Sequence, residues 1–294
     1  MHAQNYIITT DNTTDFPTEF YSRNRLPYIH IDYTIDDICY DGEGTDLSTT
    51  EFYDRIRSGA MPITQQANPE KSRLFFEKLL KEGLDILHIA FSSGLSGTYQ
   101  SNCIAAEELQ ELYPERKIII IDSLCASMGE GLLVNEALLR QQAGMTIDEV
   151  ATWVRENRLH IVHDVVADDL FHLQRGGRVS KTAAVVGTAL GIKPMIHLDD
   201  NGKLVPYGKM RGKKTALTAM ATRLANKIDR SGVYNMVFIS HADCLEDAQL
   251  LESLIRQKAG VKNLLTSYIG PTIGAHTGVG TVALFYFADS RSTD

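Results

Sequence analysis

Apolar residues recur along this chain at two distinct periods. Residues 6–10, 84–90 and 117–121 are short, nearly unbroken apolar runs rich in isoleucine, which predicts buried strands. Each ends in a polar corner and is followed by a stretch of helical period, at 18–23, 100–112 and 129–142. Alternation over 27–33 predicts another strand, and 35–50 carries Asp-Gly turn signals before a helix start at Thr49-Thr50-Glu51. Residues 61–69 read as a polar loop, and Phe75, Phe76, Leu79 and Leu80 after it have the spacing of a buried helix face. Strands that alternate with helices and lack a polar face predict a parallel, helix-covered sheet. Ligands of such sheets bind beyond the carboxyl ends of the strands, so the corners after residues 10, 91 and 123 are expected to share one crevice.

From about residue 162 the texture changes. A strand at 162–166 leads into a basic glycine turn at 170–181, then a small-residue helix at 182–190. Residues 193–198 and 203–210 flank Asp199-Asp200-Asn201-Gly202 and predict a hairpin. Leu217, Met220, Ala221, Leu224 and Ile228 fall on one helical face. A strand at 234–240, a helix at 245–257 carrying Leu250, Leu251, Leu254 and Ile255, a strand at 263–269, a glycine-rich loop at 270–281 and a strand at 282–287 complete the chain. A hairpin among helices implies a mixed sheet. The expected fold class is therefore α/β, with an α/β/α unit on a parallel sheet over 1–160 and a second α/β unit with a mixed sheet over 161–294. No internal repeat or low-complexity linker interrupts it.

Composition narrows the function. The 294 residues are 44% hydrophobic and 22% charged, with a net charge of -8. An acidic chain with no dense Lys/Arg run argues against nucleic-acid binding and favours a small molecule or a protein as partner. The first residues lack a basic-then-apolar signal pattern, and no segment approaches the ~18 continuous apolar residues of a membrane span. A cytoplasmic protein that is not an integral membrane protein is expected. Cys39, Cys103, Cys125 and Cys244 form neither a disulfide framework nor a zinc pattern.

Candidate chemistry centres on Phe91-Ser92-Ser93-Gly94-Leu95-Ser96-Gly97-Thr98-Tyr99, a strand-to-helix turn. Its glycines permit close backbone approach, and its hydroxyls lie beside the free N–H groups of a helix start, a setting for phosphate or carboxylate. Gly94-Leu95-Ser96-Gly97-Thr98 has threonine where a G-x-S-x-G nucleophile elbow needs glycine, and no G-x-x-x-x-G-K-[ST] occurs. His276 stands among glycines 270, 274, 278 and 280 and is a candidate donor to an anion. His88, on an apolar strand, reads as a structural interior residue. Arg175, Arg178 and Lys181, with Arg211, Lys213 and Lys214, make two basic groups suited to a solvated face, a phosphate or an acidic partner. Asp168-Asp169 and Asp199-Asp200 read as turn residues rather than a metal site.

Together these motifs resemble the DegV family, the fatty-acid-binding subunits of bacterial fatty acid kinase systems. Thr10-Asp11-Asn12-Thr13-Thr14-Asp15 is similar to its T-D-S-T-x-D, Thr64-Gln65-Gln66-Ala67-Asn68-Pro69 to T-S-Q-P-S-P, and residues 92–101 to S-S-G-L-S-G-T-Y-Q-S. Asp122-Ser123, Gly176-Gly177-Arg178-Val179-Ser180, Ile192-Lys193-Pro194, Arg211-Gly212-Lys213-Lys214 and Gly274-Ala275-His276-Thr277-Gly278 follow in the family order. Gln65, Ala67, Asn12 and Val279 depart from the pattern, the first two within the loop at the carboxylate.

The resemblance implies a two-domain protein holding a long-chain fatty acid of the palmitate, stearate or oleate class between its domains. Its carboxylate would meet Thr64, Ser93, Ser96, Gly97 and His276, with Gln66, Ser123 and Thr277 in support. The histidine would add a charge-assisted hydrogen bond. The resemblance further implies no catalytic residue, metal or cofactor in this chain, and a separate ATP-dependent kinase subunit that phosphorylates the carboxylate, facing Arg178 and Arg211. The reading from another class is an enzyme acting on a lipid or a phosphorylated small molecule in the same crevice, with His276 as acid-base group.

Overall fold

The apolar runs pair as a parallel sheet. In a computed structural model, which describes residues 5–42, 46–168, 170–180, 191–229, 234 and 236–291, β1 (Tyr6–Asp11), β2 (Tyr28–Ile29), β6 (Asp85–Ala90) and β7 (Ile118–Asp122) form a sheet in the order β2-β1-β6-β7. All its pairings are parallel, with Ile8 opposite Leu87 and Leu87 opposite Ile119. The strand expected over 27–33 is split, because the Asn12 side chain accepts the Ile31 N–H at 3.0 Å and ends the ladder there. Its remainder, β3 (Tyr33–Ile35), joins β4 (Ile38–Tyr40) and β5 (Ile63–Thr64) in a small antiparallel sheet. β5 lies inside the stretch read as a loop, being only two residues long.

Local chemistry fixes the helix starts. α1 spans Thr18–Asn24, and α2 (Thr49–Arg57) opens on a Ser48/Glu51 capping box. Asn68 caps α3 (Pro69–Lys81), with proline at the first position, where its missing N–H is harmless. Phe76, Leu79 and Leu80 are buried in α3, whereas Phe75 is only partly so. α4 (Thr98–Leu112) starts directly after Gly97, and α5 is Met128–Gln142. A helix not anticipated from the sequence, α6 (Ile147–Asn157), follows a second capping box at Thr146/Glu149 and buries Ile147, Val150, Ala151 and Val154.

The mixed sheet has six strands: β8 (Ile161–Val166), β9 (Ile192–Leu198), β10 (Leu204–Arg211), β11 (Met236–His241), β12 (Asn263–Tyr268) and β13 (Val282–Phe287). Their order is β10-β9-β8-β13-β11-β12. β13 is antiparallel to both neighbours, β11 pairs with β12 in parallel, and β9–β10 is the expected hairpin. α7 (Phe171–Arg175) lies in the basic glycine turn. α8 (Lys213–Lys227) and α9 (Leu245–Ala259) cover one face of the sheet, where Leu217, Met220, Leu224 and Leu251 pack on Val162, Val166, Ile239 and Leu284. Ile228 falls just beyond α8, in an isolated bridge to Ala288. The other face turns toward the parallel sheet, and α5 packs on both, so Leu87 and Ile89 share one core with Leu132, Leu133 and Phe238. The helix expected at 182–190 lies outside the described residues.

Candidate functional site

The expected crevice forms where the carboxyl ends of β1, β6 and β7 meet the inner face of the six-stranded sheet. Two aspartates knit the corners together. Asp11 accepts the Phe91 N–H at 2.8 Å, and one oxygen of Asp122 accepts the N–H groups of Ser93 at 3.1 Å and Leu124 at 3.0 Å. The space beyond is a partly open pocket walled mostly by apolar side chains, the lining typical of small-molecule sites. Every second residue along three strands supplies its sheet wall: His163 and Val165 from β8 with Ala167 just past its end, Ile196 and Leu198 from β9, and Ala283 and Phe285 from β13. This is the period-two alternation of one sheet face.

Polar groups gather at one end. Thr64 Oγ1 and His276 Nε2 share a hydrogen bond of 2.7 Å, although 212 residues separate them. The glycine-rich loop is in fact partly helical: Pro271–Thr277 forms a short helix, α10, started by its proline and stopped at Gly278 with φ +70°. Gln66, Ser96, Thr277 and Arg178 line the same space. Burial, then the nearby Arg178, Arg175 and His172, push the His276 pKa down to about 4. Burial thus favours the neutral imidazole in the chain by itself. Positive charge comes instead from Arg178, which donates to the carbonyls of Leu95 at 3.1 Å and Gly176 at 2.5 Å. It lines both the cavity and the open groove beside it. Arg175 donates to Pro62 and Ala275 carbonyls and so braces β5 against α10.

The remaining candidates separate clearly. Ser96 lines the cavity, and its hydroxyl shares a 3.0 Å hydrogen bond with Thr98. Ser93 is exposed and absent from the lining. Gly97 sits beneath the Gln66 amide, where a Cβ would come within 2.2 Å of Oε1 and push that amide aside. Ser123 is buried in a turn, accepting the Cys125 N–H at 3.0 Å, and does not reach the cavity. Arg211 is exposed at the end of β10. His88 is structural as expected, bonded to Thr9 and Asn102 at 2.9 Å each.

Sequence reasoning missed Ser127, His163 and Thr272, all of which line the cavity. Ser127 donates to Asp15 at 2.5 Å, and burial raises the Asp15 carboxyl to about 8. Glu130 is also held well above the usual carboxylate range, by burial and then by Asp11, while Thr10 and Thr13 donate to it. The opening T-D-x-T-x-D motif thus builds a buried polar joint behind the cavity. The only hint in the sequence was that motif's density of Asp and Thr. The hairpin turn closes over the serine-glycine stretch: Ser92 donates to the Gly202 carbonyl at 2.8 Å, and a Cβ on Gly94 would meet Asn201 O at 2.5 Å. Among the described residues, no cluster of His, Cys, Asp and Glu is arranged to hold a metal ion, and no helix is long and apolar enough to cross a membrane.

Fold and site together define a mixed α/β protein with an apolar internal cavity that carries a hydroxyl, imidazole and guanidinium cluster at one end. The chain belongs to the DegV family: the sequence profile described as "Uncharacterised protein, DegV family" matches residues 5–289. A DegV domain-containing protein of Clostridium perfringens is 41% identical over 287 residues, covering 97% of this chain and 98% of the relative. A solved structure from Bacillus subtilis, described as DegV, a fatty acid binding protein, is 26% identical with a TM-score of 0.82, covering 98% of this chain and 100% of that one. A Thermotoga maritima protein whose structure is described as revealing fatty acid binding function is 27% identical with a TM-score of 0.84, covering 97% and 100%.

Proposed function

We propose that this chain binds a long-chain fatty acid and presents its carboxylate to a separate, ATP-using kinase subunit for acyl-phosphate formation. The observation that carries the reading is the union of an apolar cavity with the Thr64–His276 pair at its polar end. In this reading the Thr64 and Ser96 hydroxyls donate to the carboxylate. Arg178 balances its charge, and Gly97 leaves room for Gln66 beside it. A hydrogen bond to an ionised partner contributes about 1.5 to 3 kcal/mol. The tail supplies most of the affinity: at ~0.8 kcal/mol per buried CH₂, about 15 methylenes contribute on the order of 12 kcal/mol before ordering costs.

Presentation is supported by a neighbouring groove. Arg178, Leu95 and Leu204 line both the cavity and an open groove that also holds Gly94, Gly177, Lys203 and Lys209. Glycine backbone and cationic side chains suit a phosphoryl donor brought by a partner. Arg211, exposed on β10, lies on the same hairpin and extends the partner-facing surface. In this reading the chain itself performs no chemistry.

Lipid extraction tests the binding step. Protein purified from cells and denatured in a mass spectrometer is expected to release a fatty acid; protein that arrives without one and also takes up neither palmitate nor oleate would end the reading.

A further inference from the structure

The inner wall of the six-stranded sheet has a definite end. Along β8 the lining residues are Ala167, Val165 and His163, and along the antiparallel β13 they are Ala283 and Phe285, with Phe285 opposite His163. The next pair on that face, Ile161 opposite Phe287, is buried and absent from the lining. Tyr234 stacks on Phe287 at 4.1 Å, and Trp153 lies at 6.2 Å, so side chains fill the space beyond. From Ala167 to His163 the wall is about 13 Å long, four residues at ~3.3 Å each.

At that last rung the imidazole reaches across to the segment that starts α5. His163 Nε2 accepts the Ala126 N–H at 3.1 Å, and Nδ1 donates to the Ile161 carbonyl at 3.2 Å. Both ring nitrogens are thus engaged with backbone, and the tautomer is fixed. The ring stacks edge-on to Phe285 at 5.2 Å. It fits only because residue 129 is glycine: a Cβ there would come within 2.2 Å of Nε2.

We propose that His163, seated against Gly129 and braced by Phe285, is the stop that sets how long an acyl chain this cavity accepts, making it a specificity-determining residue; this rests on the fatty-acid reading above. Removing the ring leaves a cavity at the deep end of the wall, and adding a methyl group at Gly129 drives the ring into the tail space. The two changes therefore act in opposite directions.

The test loads delipidated protein with an equimolar mixture of saturated acids from C12 to C22, then quantifies the extracted acids by mass spectrometry. Relative to the native protein, His163→Ala is expected to move the preferred length up by about two carbons, and Gly129→Ala to move it down. Native protein that retains acids, with both folded variants keeping its length profile, overturns the length stop while leaving the binding reading intact. Native protein that retains none of the acids removes the reading and the stop together. Thermal unfolding checks each variant; if His163→Ala does not fold, Gly129→Ala decides, and an unshifted or longer profile in it counts against the stop.

Discussion

The two faces of the six-stranded sheet have similar residues and opposite fates. On the outer face, Ile239, Leu284, Val162 and Val166 are closed over by α8 and α9 into a filled core. On the inner face, Ile196, Val165, Ala283 and Phe285 are just as apolar but line the cavity. One face therefore contributes to stability through packing, and the other forgoes part of that gain where its side chains border the cavity. Apolar side chains at the edge of a void lack contact atoms on one side, so they contribute less to folding than fully surrounded ones.

The comparison breaks most directly with a matched pair. Ile239 and Ile196 are both fully buried, one on each face. Ile239→Ala is expected to cost about 4 kcal/mol and Ile196→Ala about 2, measured by urea unfolding of delipidated protein. Equal losses would mean that the inner face is packed as tightly as the outer one.

The next effect is in acid. His276 has a folded pKa near 4, depressed chiefly by burial and then by Arg178, Arg175 and His172, against about 6.5 in the unfolded chain. Unfolding therefore takes up a proton between these values. The stability tied to a neutral His276 is fully present above about pH 6.5 and is lost as the pH falls toward 4. His276→Gln should flatten the fall in unfolding free energy across that window by ~3 kcal/mol. A parallel pH profile in the variant would show that the ring does not titrate this way.

Smaller changes sharpen the polar end. Thr64→Ala removes the partner of His276 and should raise the Kd for a fatty acid on the order of tenfold, about 1.5 kcal/mol, with little loss of folding stability. Titration with a fluorescent fatty acid reads this directly. Last come the two serines. Ser96→Ala should weaken binding a few-fold, while Ser93→Ala should change neither affinity nor stability by more than about 0.5 kcal/mol. A reversed order would relocate the head group to the outer side of the loop.

Much of this architecture was legible in the sequence, for identifiable reasons. The residues of β13 match the apolar run at 282–287, because a strand buried on both faces leaves an unbroken signature. α10 was hidden because Pro-Thr-Ile-Gly-Ala-His-Thr lacks a helical apolar stripe, and β5 because two residues carry no period. Thr64, Ser96 and His276 came into view through ordered motifs, not through any local rule for their meeting. Ser127 gave no signal: its backbone stands at φ +52° and its partner Asp15 is 112 residues away. The lowered pKa of His276 left no trace in the sequence, because it comes from burial and from arginines on another element.

The sheet order has a consequence for how the chain becomes this structure. β13 is the final strand in sequence yet lies between β8 and β11, pairing Val282 with Val166 and Phe287 with Ile161. Such long-range pairing is slow to form. Until β13 inserts, the sheet is two separate pieces and the inner wall lacks Ala283 and Phe285. The cavity wall is thus complete only once the strand that comes last among these six in sequence has been inserted at the centre of the sheet.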